Sequence, residues 1–241
     1  MKFLNMKSLK TTTLTLVILF LISFTAFAQN KETRNVGDFD EIGMSVSGKV
    51  YVKQGDKNEV ILEGDDDLLE EIVTEVRNGR LVIKNERDNW RFWGSSNRGR
   101  LSVYITIKEL KGAIVSGSGS IIGESKFKTR DFETVISGSG SIELEIDAEY
   151  TTSRISGSGS INLSGTTEKA KLSISGSGRY SADKLASGDY DISITGSGRS
   201  NIQCDGDLDV RVSGSGNVYY SGNPTSVNTS SAGSGKVRRA N

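Results

Sequence analysis

The chain has 241 residues, 30 basic against 30 acidic, with 28 glycines, one cysteine and no histidine. The absence of histidine removes Ser-His-Asp and Cys-His catalysis and the usual zinc sites, and Cys204 alone cannot form an intrachain disulfide. Balanced charge, with no basic concentration beyond Lys236, Arg238 and Arg239, argues against nucleic acid as a partner.

At the start, Lys2, Lys7 and Lys10 precede an apolar run over residues 14–24, broken only by Thr15 and Ser23, and then Ala26-Phe27-Ala28. This is the pattern of a secretory signal peptide, residues 1–28, cleaved after Ala28. An uncleaved anchor is the alternative, but the run falls well short of the roughly twenty residues a spanning helix needs. No cysteine stands near the cleavage point to accept a lipid. The expected product is an exported chain with no transmembrane anchor, destined for the periplasm, the cell surface or the medium.

Residues 29–111 read as an amino-terminal β-rich part. Strands are predicted over 44–52, around the turn Ser47-Gly48, and over 60–62 and 101–107. Ser47-Gly48 reads as a degenerate first copy of the repeat that follows. Asp65-Asp66-Asp67 before Leu68, Leu69, Ile72 and Val73 predicts a single capped helical turn. Asn78-Gly79, between Val76 and Leu81, predicts a hairpin. Trp90, Phe92 and Trp93, with Arg91 among them, hold both tryptophans of the chain. Aromatic rings on a loop stack on sugars or anchor a protein partner; plugging one end of the fold, or packing across the hairpin, accounts for them too.

From residue 112 to 241 a Ser-Gly-Ser-Gly block returns about every nineteen residues. Its glycine pairs are Gly117 and Gly119, Gly138 and Gly140, Gly157 and Gly159, Gly176 and Gly178, Gly196 and Gly198, Gly214 and Gly216, and Gly233 and Gly235, with Thr195 and Ala232 replacing the first serine. A flexible linker has no reason to keep a period, nor to place Val115, Ile136, Ile155, Ile174, Ile194 and Val212 just before each block. After the blocks, Ile142, Leu144 and Ile146, then Ile161 and Leu163, then Ile202 and Cys204, alternate as strands do. Such a unit buries its apolar face only by stacking on its neighbours. The predicted fold is all-β: a parallel β-helix, or solenoid, whose seven coils at about 4.8 Å spacing make a rod about 34 Å long.

Glycines in ordinary strand interiors cost about 0.5–1 kcal/mol each, and fourteen would rival the net stability of a domain. They are therefore expected at left-handed corners or where coils approach closely, with the serines laddered and their hydroxyls bonded to neighbouring backbone. One open end is expected to be covered by the amino-terminal part, and the last coil, with Ser231 in the apolar place and Pro224 before it, reads as a capping repeat.

Candidate chemistry is thin. Asp65-Asp66-Asp67 offers oxygens to a divalent cation, but helix capping explains it as well. Asp205, Asp207 and Asp209 begin like a calcium loop, yet Val210 and Gly216 stand where glycine and glutamate belong, so an outward strand face is expected. Cys204, in phase with Ile202, is expected to point inward as a small hydrophobe. The Gly-Ser-Gly copies lack the spacing and lysine of phosphate loops. No cofactor, metal or catalytic residue is expected.

Val36, Phe39, Ile42, Ser47-Gly48, Gly55, Leu68-Leu69, Asn78-Gly79, Leu81 and Ile83, the successive blocks, and Tyr220-Ser221-Gly222-Asn223-Pro224 before the last Gly-Ser-Gly carry a resemblance. In combination they resemble the family described as "putative auto-transporter adhesin, head GIN domain", common in Bacteroidetes. The resemblance implies a right-handed β-helix and a role at or outside the cell envelope, with no catalytic residues to carry over. Residues up to Asn241 show neither heptads nor barrel strands, so the expectation is export by another route than self-transport. Three functions follow: a non-enzymatic adhesion or binding module presenting Trp90, Phe92 and Trp93 to a glycan or envelope protein; a structural envelope protein that self-associates as a homo-oligomer; and a carbohydrate-active enzyme, for which no carboxylate pair is evident.

Overall fold

The computed structural model describes residues 30–86 and 100–240. Seventeen strands form one continuous sheet that winds into a β-solenoid of about 7 turns, about 19 residues per turn.

The amino-terminal part contributes β1 (Asn30–Arg34), β2 (Glu41–Met44), β3 (Lys49–Gln54), β4 (Glu59–Gly64), α1 (Asp66–Glu71), β5 (Ile72–Arg77), β6 (Arg80–Asn85) and β7 (Ser102–Ile107). Its coils do not stack in sequence order. Strand β2 lies between β6 and β8 (Gly112–Gly117), all parallel, and β3 lies between β7 and β9 (Ser120–Gly138). The Ser47-Gly48 turn joins β2 to β3 and stands in line with the first Ser-Gly-Ser-Gly block, as a degenerate coil should.

Beyond β6 and β7 the parallel stacking stops. Strand β4 runs antiparallel to β7, with β1 antiparallel outside it, and β5 folds back on β6 through Asn78 (φ 52°) and Gly79 (φ 78°). Two consecutive positive φ values are what a two-residue hairpin turn requires. These strands close the amino end as expected. Leu69 and Ile72 are buried over the core there, and the Arg34 guanidinium donates to the Leu69 carbonyl at 2.7 Å. The helix forms, but the side-chain cap does not. Asp65 takes the N-cap position with extended backbone and makes no side-chain cap bond; its carbonyl alone accepts from Leu68 and Leu69 at 3.0 and 2.9 Å. The acidic first turn still complements the positive end of the helix.

The repeats follow as β10 (Ser141–Gly157), β11 (Ser160–Gly176), β12 (Arg179–Gly196), β13 (Arg199–Cys204), β14 (Asp207–Gly214), β15 (Asn217–Ser221), β16 (Ser226–Gly233) and β17 (Lys236–Arg239). In β10, Ile142, Leu144, Ile146 and Ala148 are buried, Glu149 and Tyr150 are both exposed, and then Thr151, Ser153 and Ile155 are buried. Two exposed residues in succession shift the alternation, which marks a bend within the strand.

The register aligns Gly117, Gly138, Gly157, Gly176, Gly196, Gly214 and Gly233 in one column. All seven have φ between 114° and 130°, a conformation that a side chain makes costly. The second glycine of each block has a different reason. A Cβ on Gly178 would lie 2.4 Å from Ile155 Cγ2, and one on Gly159 would lie 2.5 Å from Ile136 Cγ2. The β-branched residue before each block thus fills the space that the next block's second glycine leaves open.

The block serines stack in a column as expected, Ser116, Ser137, Ser156 and Ser175 among them, but the expected bonds from their hydroxyls to neighbouring backbone do not form. The block serines face solvent, and the corner is tied by backbone bonds such as Ser139 N–H to the Gly117 carbonyl and Ser177 N–H to the Gly157 carbonyl, both 2.9 Å. Among the described block serines, Ser118 alone makes a hydroxyl contact, with Ser47 at 3.0 Å.

Inside, one row runs Ile83, Met44, Val115, Ile136, Ile155, Ile174, Ile194 and Val212, and ends on exposed Ser231. With Val227 41% exposed, the last coil has the polar, open character of a capping repeat. The core also holds polar groups: Thr134 and Ser153 hydroxyls bond at 2.8 Å, Thr151 donates to Thr167 at 3.0 Å, and the Tyr180 and Tyr190 hydroxyls lie 3.5 Å apart. Outside, Lys126 pairs with Glu145 at 3.0 Å, Lys169 with Asp189 at 3.5 Å and Arg211 with Asp191 at 2.9 Å, each on the adjacent coil. Exposed pairs stabilise by less than about 1 kcal/mol, but charges set opposite one another favour one register.

Candidate functional site

Strand alternation leaves every second residue outside, and on the amino-terminal coils one central row of those positions is apolar, between flanking polar residues such as Lys49, Lys53, Glu59 and Glu63. Across β4, β7, β3 and β9 the outward row reads Ile61, Tyr104, Tyr51 and Ile122, all half-buried. Along the repeats the same row becomes Glu143, Asn162, Ser181 and Asn201. The second face shows a similar change, with Val82, Gly43, Ile114 and Val135 giving way to Arg154, Ser173 and Ser193.

The Tyr51 and Tyr104 rings stack with centroids 5.4 Å apart and planes 15° from parallel. The Lys31 ammonium lies 5.3 Å from the Tyr104 centroid and 3.3 Å from the Glu63 carboxylate. The Glu63 carboxylate beside the Tyr104 hydroxyl, together with desolvation, holds the phenol pKa above its usual value. The pair is therefore a preorganised aromatic platform with a neutral hydroxyl and an adjacent charge pair. Aromatic groups of this kind supply contact area at low entropic cost.

Trp90, Phe92 and Trp93 lie outside the described residues. Their flanks are placed, however. Ser45 N–H bonds to the Ile83 carbonyl at 2.9 Å and Lys49 N–H to the Leu101 carbonyl at 3.0 Å. The described residues stop at Glu86 and resume at Arg100 beside the corner line of Ser47-Gly48. Tyr51 and Tyr104 are each two residues beyond that corner line, about 7 Å along the strand. Sequence reasoning missed this pair because its two members meet only once the out-of-order stacking of β3 and β7 is known; tyrosine at alternate, outward phase was the one available signal.

The other candidates have structural roles. Asp205 Oδ1 accepts Asn223 N–H at 2.9 Å, Asp207 Oδ1 accepts the Thr225 hydroxyl at 2.8 Å, and Asp189 Oδ1 accepts Asp207 N–H at 3.1 Å. Asp205 and Asp207 do more than line an outward strand face: they pin the loop before β16, while Asp189 holds the start of β14. Cys204 is fully buried, and burial pushes its thiol pKa up; its Sγ lies 3.2 Å from the Gly188 carbonyl. Among the described residues no cluster of three or more potential metal ligands forms, and no helix is long and apolar enough to cross a membrane. Residues 1–28, expected from the sequence to be a signal peptide, lie outside the described ones. A polar groove of about 470 Å³ crosses the repeats between Glu143, Asn162, Ser181 and Lys184.

The profile of the family described as "Putative auto-transporter adhesin, head GIN domain" matches residues 38–224. Solved structures share the fold. A protein described as a putative adhesin from Bacteroides fragilis is 22% identical, with a TM-score of 0.81 over 89% of this chain and 98% of its own. One described as a putative lipid binding protein from Parabacteroides distasonis is 27% identical, with a TM-score of 0.69 over 88% and 97%. A putative adhesin from Parabacteroides merdae is 20% identical, with a TM-score of 0.67 over 89% and 97%. No curated protein matches.

Proposed function

The chain belongs to the family of putative auto-transporter adhesin head GIN domains, and from that premise we propose that it is an exported, non-enzymatic binding module of the cell envelope or surface. The observation that carries this reading is the stacked Tyr51–Tyr104 pair between Ile61 and Ile122. Apolar and aromatic side chains on the outside of a rigid sheet stabilise little in the free protein, whereas covering them on binding is favourable. Trp90, Phe92 and Trp93, which lie in sequence between Glu86 and Arg100, are proposed as part of the same contact surface. The partner is a glycan or an envelope protein, with rings stacking on sugar faces or anchoring side chains.

A second reading, an acyl-bearing ligand, draws on the aliphatic flanks Ile61 and Ile122 and on the description of the Parabacteroides distasonis protein. Binding of the protein to a glycan array, to isolated envelopes and to lipid vesicles separates the two. Trp90→Ala/Trp93→Ala is expected to weaken binding at least tenfold, as loss of interface anchors does, with the circular dichroism unchanged. Binding to vesicles alone would favour the acyl ligand, and undiminished binding of the variant would remove the tryptophans from the contact.

A further inference from the structure

Lys126, Lys128, Arg130, Arg154, Lys169 and Arg211 each pair with a carboxylate on the adjacent coil. The first outer face shows the opposite in its carboxy half. Its row beside the corner is Ser141 and Ser160 and then Arg179, Arg199, Asn217 and Lys236. The next outward row runs Ser181, Asn201, Tyr219 and Arg238. Arg179, Arg199, Lys236 and Arg238 are all exposed, and none forms an ion pair among the described residues. Scattered in the sequence, these cations become one stripe only in the folded register.

Arg179 and Arg199 stand directly opposite one another on β12 and β13, and like charges so placed destabilise a sheet. Arg199 is also held in place, its guanidinium 5.6 Å from the centroid of the Tyr219 ring on the following coil. Beside it opens a groove of about 490 Å³, bordered by Arg199, Asn201, Tyr219 and Ser221, with Asp183 as its one acidic lining residue. The next groove along this face carries Glu143 and Glu145, so the positive stretch is confined to the carboxy half. Charge repulsion that nothing inside the free protein relieves points to an anion outside it.

We propose that this stripe holds an acidic segment of a linear polysaccharide lying along the rod axis. From Arg179 through Arg199 and Asn217 to Lys236 the row advances about 14 Å. One coil spacing, about 4.8 Å, is close to the length of one pyranose unit, so carboxylates on successive sugars fall beside successive coils. Guanidinium groups suit carboxylates by their forked donors, the Asn201 and Asn217 amides donate to and accept from hydroxyls, and the Tyr219 ring offers a face to a sugar. Duplex nucleic acid draws its affinity from many phosphate contacts, more than this stripe supplies. The two rows from Arg179 and Ser181 onward hold no aliphatic side chain for an acyl chain to cover. Binding here rests on the role proposed above and adds to it a ligand class and a contact apart from Tyr51 and Tyr104.

Titration calorimetry with polygalacturonate, on the protein expressed with its own amino-terminal segment and purified as the cell leaves it, tests the proposal. Wild type is expected to bind, more weakly at about 0.5 M than at about 0.05 M salt, as screening shortens the reach of the charges. Arg179→Gln/Arg199→Gln is expected to bind at least about tenfold more weakly, Arg179→Lys/Arg199→Lys to recover part of that loss, and Lys169→Gln/Lys171→Gln, off this face, to bind like wild type. Methyl-esterified polygalacturonate, which keeps the sugars and loses the charge, is expected to bind wild type no better than it binds Arg179→Gln/Arg199→Gln. Arg179→Gln alone, which relieves the facing charges and spares the Tyr219 contact, is expected to melt no lower than wild type. No binding by wild type, an equal loss in Lys169→Gln/Lys171→Gln, equal binding of the esterified chain, tighter binding of single-stranded DNA or phosphatidylglycerol vesicles, or a lower melt overturns the proposal. Glycan-array binding lost in Tyr51→Ser/Tyr104→Ser but kept for every acidic glycan in Arg179→Gln/Arg199→Gln overturns the stripe alone and leaves the proposed function standing.

Discussion

Glycine carries this fold through two separate demands. At the first glycine of a block the backbone itself is the reason, and at the second it is the isoleucine of the preceding coil. Gly178→Ala is expected to destabilise by about 1–3 kcal/mol, because its Cβ meets Ile155 at 2.4 Å. Gly37→Ala, with nothing within 4 Å, is expected to change stability by less than about 0.5 kcal/mol; thermal melts of both check this. That glycines were compulsory was legible in the sequence, since so many in strands must otherwise be ruinous. The hydroxyl bonding of the ladder was misjudged because residues flanking a positive-φ corner point their side chains to solvent, leaving the backbone to make the bonds. The buried tyrosines supply a pH test. Desolvation, then the neighbouring Tyr180, raises the Tyr190 pKa well above its ordinary value. The folded state thus holds this proton more tightly than the unfolded one, and its stabilisation is present below pH about 10 and lost as pH rises beyond it. Tyr190→Phe is expected to move the alkaline unfolding midpoint, followed by circular dichroism, to higher pH.

Among elements, the amino cap shows where local signals succeed and stop. Asn78-Gly79 specified its hairpin because both residues tolerate positive φ, and the acidic run before Leu68 specified a helix start. Neither told that Asp65 would leave its side chain unused, or that Arg34, on a strand with no sequence signature, would bond over Leu69. Such contacts depend on which strand is outermost, and that follows from pairings between distant segments. Leu69 is 4% exposed at the closed end, and Leu69→Ala is expected to cost about 2–5 kcal/mol by leaving a cavity there, measured by urea unfolding with an unchanged slope. A cost below 1 kcal/mol would mean that the helix does not seal the core.

At the scale of the whole molecule, the repeat announced the solenoid because stacking in register forces identical residues to recur at the coil length. The aromatic platform was not announced, since β6 and β7 stack outside β2 and β3 and so bring Tyr104 against Tyr51 across a long stretch of chain. The repeat builds the rod, and the less regular amino-terminal coils vary its surface. The proposed binding surface is therefore the outer face and not the corner. The most direct test compares glycan-array and envelope binding for two variants that keep the native circular dichroism: Ser137→Ala/Ser139→Ala/Ser156→Ala/Ser158→Ala at the corner and Tyr51→Ser/Tyr104→Ser on the face. The corner variant is predicted to bind like wild type and the face variant at least tenfold more weakly; loss of binding in the corner variant, with the face variant unaffected, would contradict the assignment.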